Sequence, residues 1–148
     1  MATTIKIKNI PTGYQSIISN GRHTIVGDEP VKSKGTDLGF APTELMLSGL
    51  AMCKVATVRY IARKKGWEDL IRDVDAELSL QVRRKKEGGF LSKVKVAIKI
   101  EGDITEAQRE ELVREANACY VHRMIEGDWE IEDAIELVEI EEELADSK

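Results

Sequence analysis

Cysteine, proline and aromatic residues are scarce in this 148-residue chain, with two Cys, three Pro and an aromatic share of 5%. Two cysteines cannot build the dense disulfide framework with which small secreted domains compensate for a thin core. An uninterrupted apolar leader is also missing. The opening "MATTIKIKNIP" alternates apolar with charged residues, so no export signal is expected and the expected location is cytoplasmic. No apolar run reads as long enough to span a membrane, and none is expected as a partner. A net charge of -5 argues against nucleic acid as the main partner, and the basic run Arg83, Arg84, Lys85 and Lys86 reads as a solvated hairpin end. What is present, 42% hydrophobic and 33% charged residues, suffices for one ordinary core, so a single domain over residues 1–148 is expected.

Periodicity gives the order of elements. Residues 3–10 alternate, and "YQSIISNGRHTIVGDEP" holds two β-branched runs joined at Asn20-Gly21, a dipeptide suited to a two-residue hairpin turn. The polar, glycine-containing "VKSKGTDLGFAP" is a loop, and Pro42 can open a helix whose end Gly66 marks. After Trp67, "DVDAELSLQVRR" and "FLSKVKVAIKI" alternate on either side of "KKEGG" and predict a long hairpin. "TEAQ" from Thr105 is a capping box, and Leu112, Ala116, Cys119 and Tyr120 share a face at helical spacing, so Cys119 is expected to look inward. "WEIEDAIELVEIEEE" predicts a last strand at a sheet edge. Strands arriving mainly as hairpins around two helices make the expected class α+β.

The first helix poses the chemical question. Between Leu45 and Val58 only Ser48, Lys54 and Thr57 interrupt the apolar residues, which predicts a central helix walled by protein, with a partner subunit as one wall. Gly49, one turn before Cys53, predicts something close to the backbone there, either a packed helix or a substrate. Cys53 and Cys119 are 66 residues apart and read from pattern alone either as buried apolar filler or as a redox pair. Only His23 and His122 could join them on a metal, and apart from Cys119 to His122 the spacings form no ligand pair, so no metal or cofactor is expected. No acyl-transfer motif surrounds Cys53, and no phosphate loop precedes either helix.

The stretch "GTDLGFAPTELMLSGLAMCKVATVRYIARKKGW" resembles the "GG-x-x-x-G-x-x-P-x-E-L-L-L-A-A-L-A-x-C" signature of the OsmC/Ohr superfamily of osmotically inducible and organic hydroperoxide resistance proteins. In "NACYVHRMI", Cys119 resembles the family's "C-P-V-H-R" motif, with Tyr120 in place of the proline. The length and order of elements agree, so the resemblance covers essentially the whole chain.

This resemblance implies antiparallel sheets packed around two central helices in an intertwined homodimer, with the active site at the subunit interface. It implies thiol peroxidase chemistry on a small organic hydroperoxide. Carried over, Cys53 is the peroxidatic thiol and Cys119 the resolving thiol, and an external dithiol reduces the disulfide, without a cofactor. The best-studied branches place a glutamate directly after the proline, holding an arginine against the sulfur; here Thr43 stands there and the carboxylate follows at Glu44. That displacement leaves Glu44 either a site acid or a helix-start residue. Arg22, the only arginine before Cys53, is the candidate cation, with Lys32 and Lys34 as rivals and His122 and Arg123 in reserve. The alternative function is a dimer binding a small apolar ligand in the interface pocket without turnover.

Overall fold

The computed structural model describes residues 2–137. Their order is β1 (Lys6–Asn9), β2 (Ser16–Ser19), β3 (Thr24–Gly27), α1 (Pro42–Lys64), β4 (Ile71–Arg84), β5 (Phe90–Gly102), α2 (Glu106–Ala116) and α3 (Tyr120–Glu126). The class is α+β, with two antiparallel sheets: the meander β1-β2-β3 and the hairpin β4-β5.

In the meander Ile7 stands opposite Ile18 and Ile17 opposite Val26, so β-branched pairs face each other across the strands. The turn between β2 and β3 is longer than expected. Ser19 pairs with Thr24, leaving four residues, Asn20–His23, in the connection. The Asn20 side chain accepts the backbone N–H groups of Arg22 and His23 at 2.9 and 2.8 Å, an Asx turn that a bare two-residue hairpin would not need.

The loop from β3 to α1 is built around Asp28. Its carboxylate accepts the backbone N–H groups of Tyr14, Glu29, Thr36 and Leu38 and the Thr36 hydroxyl. The Thr36 hydroxyl is the largest influence holding Asp28 down at about 2, and the N–H donors of Leu38, Glu29 and Tyr14 act in the same direction against its burial. Gly35 and Gly39 are required here. A Cβ on Gly35 would stand 2.0 Å from the Glu29 carbonyl oxygen, and one on Gly39 would stand 2.1 Å from that of Val26.

Helix α1 starts on Pro42, at the position where a missing N–H costs nothing, and gives way to Gly66 at φ +76°. By length and composition it is apolar enough to cross a membrane, which corrects the expectation that no run would be; the core helix of a soluble domain has the same composition. Its buried residues, Leu50, Lys54, Val58 and Ala62, fall every fourth position and form one stripe. Among the described residues the wall around α1 is incomplete, with Met46, Met52 and Tyr60 exposed at 67%, 70% and 58%, which leaves a side for the wall expected from a partner subunit. Among the described residues an added Cβ on Gly49 would meet no atom within 4 Å.

The core joins Val58 and Ala62 of α1 to Ile71 of β4, Ile100 of β5, and Leu112 and Ala116 of α2. Around it pack Ile61, Trp67, Val74, Ile98, Ile104 and Val113. The Thr105 to Gln108 capping box forms as expected, each side chain accepting the other residue's backbone N–H. The Arg109 guanidinium then ties α2 to the Ile100 carbonyl of β5.

Two expectations fail after Ala116. The helix does not continue through Cys119 and Tyr120 but stops, turns at Asn117 and Ala118, and restarts as α3 with Cys119 at its N-cap. Cys119 is buried as anticipated; Tyr120, pointed elsewhere by the break, is 67% exposed. The expected last strand is also not formed over Trp129–Leu137, where Ile131 and Ile135 are exposed at 83% and 90% and pair with no strand among the described residues. Residues 138–143 of that expected strand lie outside the described residues.

Candidate active site

The α1 stripe and the restart at α3 decide what surrounds the thiols. Cys53 sits one position before Lys54, at the margin of the stripe, and is half-buried; Cys119 is 1% exposed, and both are free thiols. The break after α2 turns the first residues of α3 toward α1. As a result the backbone N–H of Val121, two residues past Cys119, is directed at Cys53 Sγ at 3.5 Å. A donor in that position suits a thiolate, which only accepts, better than it suits a thiol. Tyr120 holds the first helical position of α3, where the proline of the family motif would be favoured for the same reason as Pro42.

Directly beside this pair lies a cation that sequence reading passed over as an interruption. Lys54 is 1% exposed, and its Nζ donates to the Ala116 carbonyl at 3.1 Å and lies 2.9 Å from His122 Nδ1. The far side of the imidazole, Nε2, lies 2.7 Å from Glu126 Oε1. A carboxylate only accepts, so Nε2 carries the proton and Nδ1 presents its lone pair to the lysine. The signal was in the sequence: Leu50, Lys54, Val58 and Ala62 recur at four-residue spacing, and a lysine at an apolar position of such a stripe marks a buried charge.

The other candidates fall elsewhere. The Glu44 carboxylate accepts the Ala41 backbone N–H at 2.9 Å, one half of a capping box whose other half Ala41, without a side-chain oxygen, cannot make. Glu44 stands nine positions before Cys53 in α1, about 13 Å along the axis. Arg22 is exposed in the Asn20–His23 turn, and its guanidinium joins no ion pair among the described residues. Lys32 and Lys34 are exposed in the loop. Arg123 lies over the Tyr120 ring at 6.0 Å. Of the reserve candidates, His122 is the one tied to α1, through Lys54.

A separate cleft of about 290 Å³ opens between the meander and the start of α1, lined by Ile7, Tyr14, Ile18, Phe40 and Leu45 with Asp28 at its edge. Neither cysteine lines it.

Residues 35–132, more than half of the chain and including both cysteines and the Lys54 to His122 contact, match the family model described as OsmC-like protein. The chain belongs to the OsmC-like family. Solved structures share the fold. A Psychrobacter arcticus protein provisionally described as an osmotic stress induced and detoxification response protein is 20% identical with a TM-score of 0.69, over 84% of this chain and 88% of that one. An organic hydroperoxide resistance protein OsmC from Legionella pneumophila is 22% identical with a TM-score of 0.64, over 86% and 90%. The organic hydroperoxide resistance protein OhrB of Bacillus subtilis is 18% identical with a TM-score of 0.63, over 86% and 93%. No curated protein matches this OsmC-like chain in sequence.

Proposed function

We propose that the protein is a thiol-dependent peroxidase that reduces small organic hydroperoxides. The observation that carries this reading is the convergence of a half-buried Cys53 with the segment bearing Cys119, the Val121 N–H reaching the Cys53 sulfur, in an OsmC-like chain. Fold relatives from Legionella pneumophila and Bacillus subtilis that bear the name of organic hydroperoxide resistance support the choice of oxidant.

In the proposed cycle the Cys53 thiol gives up its proton and the thiolate attacks the terminal peroxide oxygen; the O–O bond breaks, the departing alkoxide takes up that proton to leave as an alcohol, and Cys53 becomes a sulfenic acid. The Cys119 thiol then attacks that sulfur, forming the Cys53 to Cys119 disulfide and releasing water. An external dithiol returns both cysteines to thiols. The working unit is a homodimer, which would cover the exposed apolar residues of α1.

Turnover of cumene hydroperoxide with a dithiol reductant tests the proposal. Wild type should consume peroxide, Cys53→Ser should not, and Cys119→Ser should accumulate sulfenic and then sulfinic acid on Cys53. The apolar cleft near Phe40 favours a second reading, binding of a small apolar ligand without turnover. That reading replaces the first if the folded wild type leaves peroxide untouched and both thiols unreactive.

A further inference from the structure

Lys54 occupies a position where the α1 stripe calls for an apolar side chain, and burying an ammonium there is costly unless something compensates. Among the described residues no carboxylate pairs with it; its two partners are neutral acceptors, the Ala116 carbonyl and His122 Nδ1. Methionine, unbranched, one atom shorter and of similar volume, would fill nearly the same space without that cost, so packing alone does not account for a lysine. The two acceptors have one thing in common. Ala116 is the last residue of α2 and His122 lies in the first turn of α3, so they bracket the connection that carries Cys119 and the Val121 N–H. Glu126, by holding His122 Nε2–H, keeps the imidazole turned with its lone pair toward Lys54.

We infer that Lys54 is a positioning residue for the second thiol: its Nζ ties both ends of the α2 to α3 connection to α1 and thereby holds Cys119 and the Val121 N–H against Cys53. The inference rests on the proposed peroxidase reading only in treating the positioned cysteines as a redox pair. Lys54 touches the segment and not the reacting atoms, so its loss weakens the meeting of the two thiols and leaves each thiol present. With the tether gone, the effective concentration of Cys119 at Cys53 falls, and the disulfide between them becomes easier to reduce.

Two readouts on full-length Lys54→Met and His122→Ala proteins test it. The first is amide hydrogen exchange at Val121 and at Arg123, whose N–H is bonded to the Cys119 carbonyl at 3.1 Å. Both amides should exchange at least about tenfold faster in Lys54→Met and less so in His122→Ala, while β4 and β5 keep wild-type protection. The second is the Cys53 to Cys119 equilibrium in glutathione buffers, where a tenfold loss of effective concentration raises the reduction potential by about 30 mV. A folded Lys54→Met protein with wild-type exchange at Val121 overturns the inference, as does faster exchange with an unchanged potential. If Lys54→Met does not fold, His122→Ala, altered at a partly exposed side chain, decides by the same two readings. Faster exchange in a protein whose wild type forms no Cys53 to Cys119 disulfide overturns the peroxidase reading instead and leaves the tether standing.

Discussion

The two halves of α1 meet different surroundings. Toward the carboxyl end Val58 and Ala62 are fully buried against β4, β5 and α2, and the core closes around them. Toward the amino end Met46 and Met52 are exposed, no atom of the described residues would stand within 4 Å of a Cβ on Gly49, and the neighbouring meander and the loop before α1 show Ile7, Ile25 and Phe40 to the outside at 60%, 51% and 56%. One half is finished by its own chain, and the other presents apolar surface of the kind that marks an interface. Cys53 and Lys54 sit at the boundary between them. A reactive sulfur needs that position, since full burial would shut out a substrate and full exposure would leave nothing to hold a second thiol against it.

The sharpest way to break the comparison is through the finished half. Leu112→Ala should cost about 2–5 kcal/mol in denaturant unfolding, because a fully buried side chain shared by both helices leaves a cavity. A cost below about 1 kcal/mol would mean that the core is not centred there. In the open half, a charge placed at an exposed apolar position tests whether a second copy covers it. Met52→Glu should weaken the dimer at least tenfold, about 1.4 kcal/mol, in sedimentation of the purified protein. A wild type that sediments as a monomer of 16.6 kDa at micromolar concentration would remove the second copy from the account.

Glu44 sharpens the boundary from the amino side. As the partner of the Ala41 N–H, Glu44→Gln should lose roughly 0.3 to 1 kcal/mol of stability, with the rate per folded molecule unchanged. A tenfold slower attack on peroxide at unchanged stability would instead return Glu44 to the site. The smallest effect near neutrality concerns the loop at Asp28. Its carboxyl is held at about 2, below the ordinary 3.8, so it contributes stability that is fully present above about pH 4 and is lost as pH falls through about 2. Thr36→Val removes the largest cause of that lowering and should shrink the stability lost across this window in acid titrations followed by circular dichroism.

Much of this was legible in the sequence where a residue's chemistry is local. Pro42 and Gly66 bound α1, Thr105 and Gln108 cap α2, and the long hairpin pairs Arg84 with Phe90 around the "KKEGG" turn. The two cysteine motifs carried the family. What escaped was set by tertiary context. Periodicity cannot register the break at Asn117 and Ala118, so the spacing alone predicts one helix through Cys119. Asn20 substitutes its own side chain for turn bonds and lengthens the first hairpin connection. Alternation in "WEIEDAIELVEIEEE" describes a chain able to pair, without supplying the edge it would pair with. Lys54 reads in the sequence as one of three interruptions of an apolar run, although its four-residue spacing from Leu50 and Val58 places it in the buried stripe.

The central claim, that the two thiols form one redox unit, meets its most direct test in a stoichiometric oxidation. Fully reduced protein treated with one equivalent of cumene hydroperoxide and analysed intact and by peptide mapping should become lighter by two hydrogen atoms, with Cys53 linked to Cys119 within the same chain. A folded protein whose mass stays unchanged, with both thiols still free and the hydroperoxide intact, would contradict the account.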